Sequence, residues 1–184
     1  MKFRPTTVLG VQLVDFVRHA DDRGTFRRIW SQREASAAGV RPIVQSSLSV
    51  TLRRGTLRGM HFQLAPSRED KIVQCVRGRI FDVALDLRRG SATYLQHYGT
   101  ELAEDRPNAL YIPAGCAHGF LTLADDCAVL YMMTDVYDAS LSTGVRWDDP
   151  AFAIAWPDRP RELLERDGSY PDFDEKTVDG FAAY

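Results

Sequence analysis

The alternation that sets the fold class lies in Ile43-Val-Gln-Ser-Ser-Leu-Ser-Val-Thr-Leu52. Every second side chain is polar, and the side chains between them are mostly apolar, with Ser46 as the exception. The polar set is Gln45, Ser47, Ser49 and Thr51. A period of two is the signature of a β-strand. A strand that is apolar on one face and forms hydrogen bonds on the other is typical of the wall of a ligand-binding β-barrel.

The same rhythm recurs along the chain, and turn-forming pairs such as Arg54-Gly55 and Arg77-Gly78 separate its instances. Further strands are predicted at 56–63, 71–76, 79–87, 98–103, 109–112, 119–123 and 128–134. Helical pattern is confined to 31–38, which ends at Gly39, and to 160–166, which begins with a proline. Many short strands and few helices predict an all-β barrel or jelly roll.

Length and charge narrow the class of protein. The chain has 184 residues, which suits one domain, and 45% of them are hydrophobic, which is enough for a full core. Its 23 basic and 25 acidic residues nearly cancel, so we expect no nucleic-acid or membrane-surface partner. No apolar run approaches the roughly 18 residues of a membrane span, and the start lacks the apolar segment of a signal peptide. These features predict a cytoplasmic protein. Its three cysteines form no Cys-x-x-Cys pair and are predicted to be reduced core residues.

A short motif in Ile112-Pro-Ala-Gly-Cys-Ala-His118 resembles the second conserved motif of the cupin superfamily, P-x-G-x-x-H. The first cupin motif supplies H-x-H, then a glutamate, then a glycine seven residues later. Here the matching positions are His61, Gln63, Lys71 and Gly78. The resemblance implies a cupin-type jelly-roll β-barrel in which His118 points inwards.

Two of these positions bear on the metal that many cupins hold. Gln63 and Lys71 stand where the resemblance places a histidine and a glutamate, which leaves His61 and His118 as ligands. An ammonium group has no electron pair to donate and repels a cation, and two nitrogens fill half of a tetrahedral shell. We therefore predict no metal and no cofactor. A lysine in the barrel can instead stabilise an oxyanion that develops on a carbonyl.

Several separate motifs, in the same order along the chain, closely resemble the dTDP-4-dehydrorhamnose 3,5-epimerases. They are Asp22-Arg-Gly24, Arg58-Gly-Met-His-Phe-Gln63, Lys71-Ile-Val-Gln-Cys-Val-Arg-Gly78, Ile80-Phe-Asp-Val-Ala-Leu-Asp86, Ile112-Pro-Ala-Gly-Cys-Ala-His-Gly-Phe120, Gly144-Val-Arg-Trp-Asp-Asp-Pro150 and Trp156-Pro157. The resemblance covers about residues 5–167. It implies one cupin-like domain over 1–184, with N-terminal strands and a short helix in 1–40, the barrel in 41–135 and a C-terminal segment in 136–184.

The family epimerises the carbons on either side of the C4 ketone of dTDP-4-keto-6-deoxyglucose, which gives dTDP-4-keto-L-rhamnose. The resemblance implies that His61 is the base, Tyr131 the acid on the other face of the sugar and Lys71 the group that holds the oxyanion. Asp167 matches the carboxylate that partners the base, in Leu163-Leu-Glu-Arg-Asp167 where the family has a motif like L-S-x-K-D. An imidazole, with a solution pKa of about 6.5, suits proton transfer at neutral pH.

The resemblance also implies a site for a nucleotide sugar. The substrate-binding positions that match are Arg23, Phe26, Gln45, Arg58, His118 and Tyr137. Arg23 and Arg58 correspond to arginines that bind the diphosphate, a role that suits the guanidinium fork. Asp82 could pair with His118 from a neighbouring strand. Family members are homodimers with exchanged N-terminal strands, so part of each site is expected to come from the partner subunit.

Two substrate-binding positions depart from the family. Arg28 stands where the family usually has the glutamate of D-x-R-G-x-F-x-E, and Ser47 stands where it usually has an asparagine. In the family both positions lie near the nucleotide, so the base or the sugar of the true substrate can differ from the family's.

Three alternative functions remain open. They are an epimerase acting at one carbon or on another nucleotide sugar, a metal-dependent cupin enzyme, and a non-catalytic sugar-binding barrel.

Overall fold

The structure is a computed structural model that describes residues 1–175; the predicted C-terminal segment 136–184 therefore ends outside the described residues. The strands of the first half of the chain are β1 Lys2–Pro5, β2 Gln12–Asp15, β3 Arg18–Asp21, β4 Gly24–Arg27, β5 Gln45–Thr51, β6 Leu57–Gln63 and β7 Lys71–Arg77. Those of the second half are β8 Arg79–Asp86, β9 His97–Ala103, β10 Asn108–Ile112, β11 Cys116–Thr122, β12 Cys127–Met133 and β13 Ser142–Gly144. Two short helices, α1 Gln32–Ala37 and α2 Glu165–Ser169, complete the described part.

The strands form two facing antiparallel sheets. One sheet has the order β1-β2-β10-β7-β12-β5, and the other has the order β13-β6-β11-β8-β9. A separate hairpin of β3 and β4 belongs to neither sheet. Strands that are distant in sequence lie next to each other in both sheets, as in a jelly roll. The predicted all-β, cupin-type fold is therefore confirmed.

The core fills the space between the two sheets. Period-two alternation turns Val73 and Cys75 of β7 and Val129 of β12 inwards, towards the apolar residues of β8 and β11. These include Ile80, Ala84, Cys116 and Phe120, all at least 96% buried. The three cysteines are free and buried, as predicted. Burial raises the pKa of the Cys75 and Cys116 thiols to about 12, so both are protonated and unreactive at neutral pH.

Peripheral elements cover part of the outer face of each sheet. Helix α1 begins at the Ser31 N-cap, whose hydroxyl accepts the backbone N–H of Glu34, and packs Ala35 beside Ile72 and Met132. On the other sheet, the C-terminal segment places Phe152 with Val83, Leu85 and other apolar residues. No helix within residues 1–175 is long and apolar enough to cross a membrane.

Two expectations from the sequence need correction. The segment 160–166 is not a helix: the Arg161 N–H donates to Gly55, Leu57 donates to Glu162, and Thr56 and Glu162 form a parallel bridge. These backbone bonds hold the segment extended, and α2 begins only at Glu165. The strand predicted at 119–123 begins earlier, at Cys116, because Cys116 through Thr122 all pair with β8.

Strand β5, which carries the alternation at 43–52, lies at the edge of the six-stranded sheet. Its polar Ser49 faces the interior between the sheets, where a cavity opens. Its apolar face points to solvent, and Val44, Leu48, Val50 and Leu52 are each between 44% and 72% exposed. The alternation therefore predicted the strand and its polar side, from which Ser49 lines the cavity, while the apolar side remains uncovered in the single chain.

Candidate active site

A cavity of about 300 Å³ opens at one end of the two sheets. Its size falls in the range of small-molecule sites, which begins at about 300 Å³. Each of four neighbouring strands contributes a side chain that could carry chemistry: His61 from β6, Lys71 from β7, His118 from β11 and Tyr131 from β12. The remaining lining residues are Ser49, Arg58, Phe62, Gln63, Glu69, Tyr137, Ser142, Leu164, Arg166 and Asp167.

His61 and Asp167 form a hydrogen-bonded pair at the wall of this cavity. His61 Nε2 lies 2.8 Å from Asp167 Oδ1, and the Gly59 N–H donates to the other carboxylate oxygen over 3.2 Å. Asp167 is fully buried, and burial alone would raise its pKa; the hydrogen bond and charge of His61, with those from Gly59 and Arg166, hold the pKa below its usual value. Asp167 is therefore a carboxylate at neutral pH and can fix the orientation of the imidazole.

Gly59 makes this arrangement possible because no larger residue fits there. Its φ is +141°, and a Cβ atom at this position would lie 2.4 Å from the Cα of Gly119. The two glycines let β6 and β11 approach closely, while the register places His61 opposite His118. The close approach thus sets both histidines at the same end of the barrel.

Lys71 is paired with a carboxylate that the sequence interpretation overlooked. Its Nζ lies 2.7 Å from Glu69 Oε2, and both side chains are largely buried. A buried ammonium group needs a counter-charge, and Glu69 supplies it. The two residues are two positions apart, the spacing that places side chains on one face of an extended chain, so this signal was present in the sequence.

His118 and Tyr131 also line the cavity, one from each sheet. His118 Nε2 lies 2.7 Å from the fully buried Asp82 Oδ1, so the pairing suggested by the sequence is present. The edge of one ring packs on the other, with His118 and Tyr131 ring centroids 5.7 Å apart. Burial, together with the charge of Asp82, raises the pKa of Tyr131 against the opposing effect of Arg58, so its hydroxyl keeps its proton at neutral pH.

Three of the predicted substrate-binding residues lie at or beside the cavity mouth. Arg58 Nε donates a hydrogen bond to Thr51 Oγ1 over 3.0 Å, which holds the guanidinium group beside β5. The Tyr137 backbone N–H donates to Gln45 Oε1 over 3.1 Å, which ties the segment after β12 to β5. Arg58 and Tyr137 themselves line the cavity.

Four other predicted residues do not reach this cavity within one chain. Arg23 and Phe26 lie on the β3–β4 hairpin, where Arg23 pairs with Asp21 and Phe26 is 68% exposed. Arg28 is exposed and lies 3.4 Å from Glu34, while Ser47 is exposed on the edge strand β5. The hairpin instead lines a separate depression, whose walls include its own residues His19 and Thr25.

No cluster of three or more His, Cys, Asp or Glu side chains suited to a metal ion occurs within residues 1–175. Where the cupin resemblance would place two further ligands, Gln63 Oε1 accepts the Asp138 backbone N–H and Lys71 pairs with Glu69. The donor set at this position therefore does not fit a metal ion.

A jelly-roll barrel with one cavity lined by a histidine–carboxylate pair, a lysine and a protonated tyrosine defines a cupin-type protein that has the groups acid–base chemistry requires. The chain belongs to the dTDP-4-dehydrorhamnose 3,5-epimerase family, whose model matches residues 5–175. The members of this family are isomerases that act on nucleotide sugars.

Individual relatives agree with this assignment. A dTDP-4-dehydrorhamnose 3,5-epimerase of Sinorhizobium fredii is 39% identical, over 97% of this chain and 92% of the relative. A dTDP-4-dehydrorhamnose 3-epimerase of Streptomyces niveus is also 39% identical, over 91% of this chain and 81% of the relative. The crystal structure of the 3,5-epimerase of Bacillus anthracis, with TDP and pyrophosphate bound, superposes with a TM-score of 0.90 at 35% identity. That match covers 94% of this chain and 99% of the other.

Proposed function

We propose that this protein epimerises a 4-keto-6-deoxy nucleotide sugar, dTDP-4-keto-6-deoxyglucose, to dTDP-4-keto-L-rhamnose. The observation that carries the proposal is the placement of the His61–Asp167 pair in one cavity with Lys71 and Tyr131. The relatives named above act on sugars of this kind, and their similarity extends over nearly the whole chain.

His61 is the base in this proposal. A proton on a carbon next to a ketone is acidic because its removal gives an enolate, whose negative charge rests on the carbonyl oxygen. A neutral imidazole held by Asp167 can take that proton, and the carboxylate stabilises the imidazolium that forms. Lys71 supplies the positive charge for the oxygen at C4, in a partly dehydrated site where such a charge is most effective.

Tyr131 is the acid in this proposal. Epimerisation requires that a proton return to the opposite face of the same carbon, and so from a second group. The raised pKa of Tyr131 keeps its hydroxyl protonated until the enolate forms. Tyr131 and His61 belong to different sheets, so a sugar in the cavity would lie between them.

The nucleotide is proposed to bind across two subunits. Within one chain, the cavity is lined by Arg58, His118 and Tyr137, and Gln45 lies beside it. The residues outside it are Arg23, Phe26, Arg28 and Ser47. A homodimer that exchanges N-terminal strands would bring the partner subunit's hairpin to the cavity mouth. The exposed apolar face of β5 supports a dimer, because a contiguous apolar surface of this kind usually marks an interface. A cytoplasmic location stays a prediction.

Incubation with dTDP-4-keto-6-deoxyglucose in D2O tests the activity. Each carbon that is deprotonated and reprotonated acquires deuterium, which NMR detects at C3 and C5. Incorporation at both carbons with wild-type protein, and its loss in His61→Asn, is the expected result. Absence of deuterium from both positions would refute the proposal. Equal incorporation of deuterium by wild-type protein and by His61→Asn would show that His61 is not the base.

A second candidate is an epimerase that acts at one carbon. The 3-epimerase of Streptomyces niveus has the same 39% identity to this chain as the 3,5-epimerase of Sinorhizobium fredii, over a somewhat smaller share of both chains. Arg28 and Ser47 also alter the expected nucleotide site. Deuterium at C3 alone in the same experiment would select this function.

A further inference from the structure

Successive residues at the start of β7 line two different cavities. Glu69 and Lys71 line the cavity that holds His61, whereas Asp70 lines a second cavity of about 250 Å³ together with Arg41. The alternation follows from the extended backbone, in which successive side chains point to opposite sides. Asp70 therefore does not line the proposed sugar site, but it is joined by a peptide bond to each of two residues that do.

Contacts from three other elements hold Asp70 in place. Arg41 Nε donates a hydrogen bond to Asp70 Oδ2 over 3.2 Å, and Arg41 Nη2 lies 3.0 Å from Oδ1. Oδ1 also accepts the backbone N–H of Ala114 over 3.0 Å. The Asp70 N–H donates to Thr134 Oγ1 over 2.9 Å, and the Thr134 N–H donates to the Asp70 carbonyl over 3.1 Å. Asp70 thus joins the start of β7 to the segment after α1, the turn between β10 and β11, and the end of β12.

The pair formed by Glu69 and Lys71 depends on such contacts. Residues 64–70 form no helix or strand, so strand pairing does not fix Glu69. Asp135 holds the earlier part of this segment, and Asp70 holds its end. The Asp70 side chain is only 7% exposed, and a buried carboxylate is costly without its counter-charge and hydrogen bonds. The contacts of Asp70 therefore fix the backbone from which Glu69 and Lys71 extend.

We propose that Asp70, held by Arg41, is a positioning residue that aligns the Glu69–Lys71 pair with the oxyanion that forms at C4, and this rests on the proposed role of Lys71. A displaced ammonium group stabilises the enolate less, while the contacts to the nucleotide stay as they are. Neither Arg41 nor Asp70 lies in the motifs that resemble the epimerase family.

The rate of deuterium exchange tests the proposal. Asp70→Asn keeps the shape of the side chain but removes the charge that holds Arg41. We expect kcat to fall about tenfold or more, because a misplacement of about 1 Å in a reacting group can cost about 100-fold. The affinity for dTDP should stay within about twofold. Arg41→Gln should also lower kcat, and the double variant should lose little more than Asp70→Asn alone, because both changes remove the same contact. Arg41→Lys, which keeps the cation, should recover part of the loss.

Asp86→Asn is the matched control for a purely structural role. Asp86 is also a buried carboxylate, and it accepts a hydrogen bond from Arg88 Nε over 2.8 Å. Its neighbours in the chain, Leu85 and Leu87, belong to an apolar cluster and do not line the cavity that holds His61. The folded variant should therefore keep the wild-type kcat. A wild-type kcat in folded Asp70→Asn, or an equal loss in Asp86→Asn, would overturn the proposal. If Asp70→Asn does not fold, Arg41→Gln decides, since the Arg41 side chain is 40% exposed.

NMR of Lys71 provides a second measurement, which needs no activity. The sequence has only three lysines, Lys2, Lys71 and Lys176, so protein labelled with 13C-lysine gives few side-chain signals. The Lys71 signal is identified by its loss in Lys71→Gln. We expect its Cε shift to change in Arg41→Gln and to match wild type in Asp86→Asn. An unchanged shift in Arg41→Gln would overturn the proposal. Absence of exchange in wild-type protein would instead refute the proposed function, and a changed shift would still show that Arg41 and Asp70 fix the lysine.

Discussion

His61 and Asp167 lie 106 positions apart in the chain, and only the fold brings their side chains to hydrogen-bond distance. We expect Asp167→Asn to lower kcat by about 100-fold or more, because the amide can no longer stabilise the imidazolium or select its tautomer. The affinity for dTDP should stay within about twofold, since Asp167 does not belong to the proposed nucleotide contacts. Isotope exchange in D2O gives kcat, and titration calorimetry gives the affinity.

Asp172→Asn provides a matched control for this variant. It removes a carboxylate from the same C-terminal segment, but Asp172 is exposed and contacts Arg146. Its exchange rate should equal that of wild type. A normal exchange rate in Asp167→Asn would show that the buried carboxylate serves the fold and not the base.

A second prediction at the scale of single residues concerns Glu69. Because its carboxylate lies 2.7 Å from Lys71, Glu69→Gln should leave the ammonium without its counter-charge and free to leave its position. We expect a loss of about tenfold or more in kcat, as is typical when an electrostatic contact to the reacting oxygen is misplaced. Glu69→Asp, which keeps the charge on a shorter stem, should recover part of this loss. The D2O exchange assay measures both variants, and unchanged rates in Glu69→Gln would contradict the assignment.

At the scale of secondary structure, the turn that follows β8 is held by one buried carboxylate. Asp86 accepts hydrogen bonds from Arg88, Ser91 and Thr93. Arg88 also donates a hydrogen bond to the Leu9 carbonyl. Burial opposes the ionisation of Asp86, but the hydrogen bonds from these partners outweigh it and lower its pKa. The turn therefore joins the end of β8 to the loop between β1 and β2.

We expect Asp86→Asn to reduce the free energy of unfolding by about 3–5 kcal/mol, because it leaves the largely buried Arg88 without its counter-charge. A group whose pKa is lowered by folding contributes stability above its unfolded pKa of about 3.9, and this contribution is lost as the pH falls through the folded value. The difference between wild type and Asp86→Asn should thus be full at pH 7 and shrink in acid below about pH 4. Urea unfolding at several pH values measures it.

Asp126→Asn is the control for this prediction. Asp126 also pairs with an arginine, Arg77, but both side chains are at least half exposed. Exposed ion pairs contribute about 0–1 kcal/mol, so the loss should be small and should vary little with pH. An equal loss in the two variants would mean that burial does not distinguish them.

The elements of the barrel could be predicted from sequence because their signals are local. Alternation at 43–52 marks a strand independently of the rest of the chain, and both β5 and β7 were predicted close to their true bounds. The segment 160–166 was mispredicted because its conformation depends on backbone bonds to Gly55 and Leu57, about a hundred positions away. Glu69 was overlooked although its spacing from Lys71 was visible in the sequence, since only the fold shows that the two side chains meet at the cavity.

At the scale of the whole molecule, the nucleotide site likewise could not be predicted from local sequence signals. Resemblance assigned Arg23 and Phe26 to the substrate, yet in one chain they lie on a hairpin apart from the cavity that holds His61. The alternation in β5 predicted a strand with one polar face, but it could not tell that the apolar face would remain exposed. Both observations are explained together if the functional unit is the proposed dimer.

A shared site can be tested by combining two inactive variants. If Arg23 reaches the partner subunit's cavity, Arg23→Ala and His61→Asn should each be inactive as homodimers. When both are expressed together, half of the dimers carry one chain of each kind, and in these one of the two sites contains both lesions and the other contains neither. The mixture should therefore recover about a quarter of the wild-type exchange rate per chain.

The control pair is Lys71→Gln with His61→Asn. Lys71 and His61 line the same cavity of one chain, so every site in their mixed dimers contains one of the two lesions. Co-expression of this pair should recover nothing. If the Arg23→Ala and His61→Asn mixture is equally inactive while light scattering shows dimers and the two chains, carrying different tags, purify together, the hairpin does not complete its partner's site. Scattering that gives a monomer would refute the dimer itself, and with it the reason for the exposed apolar face of β5.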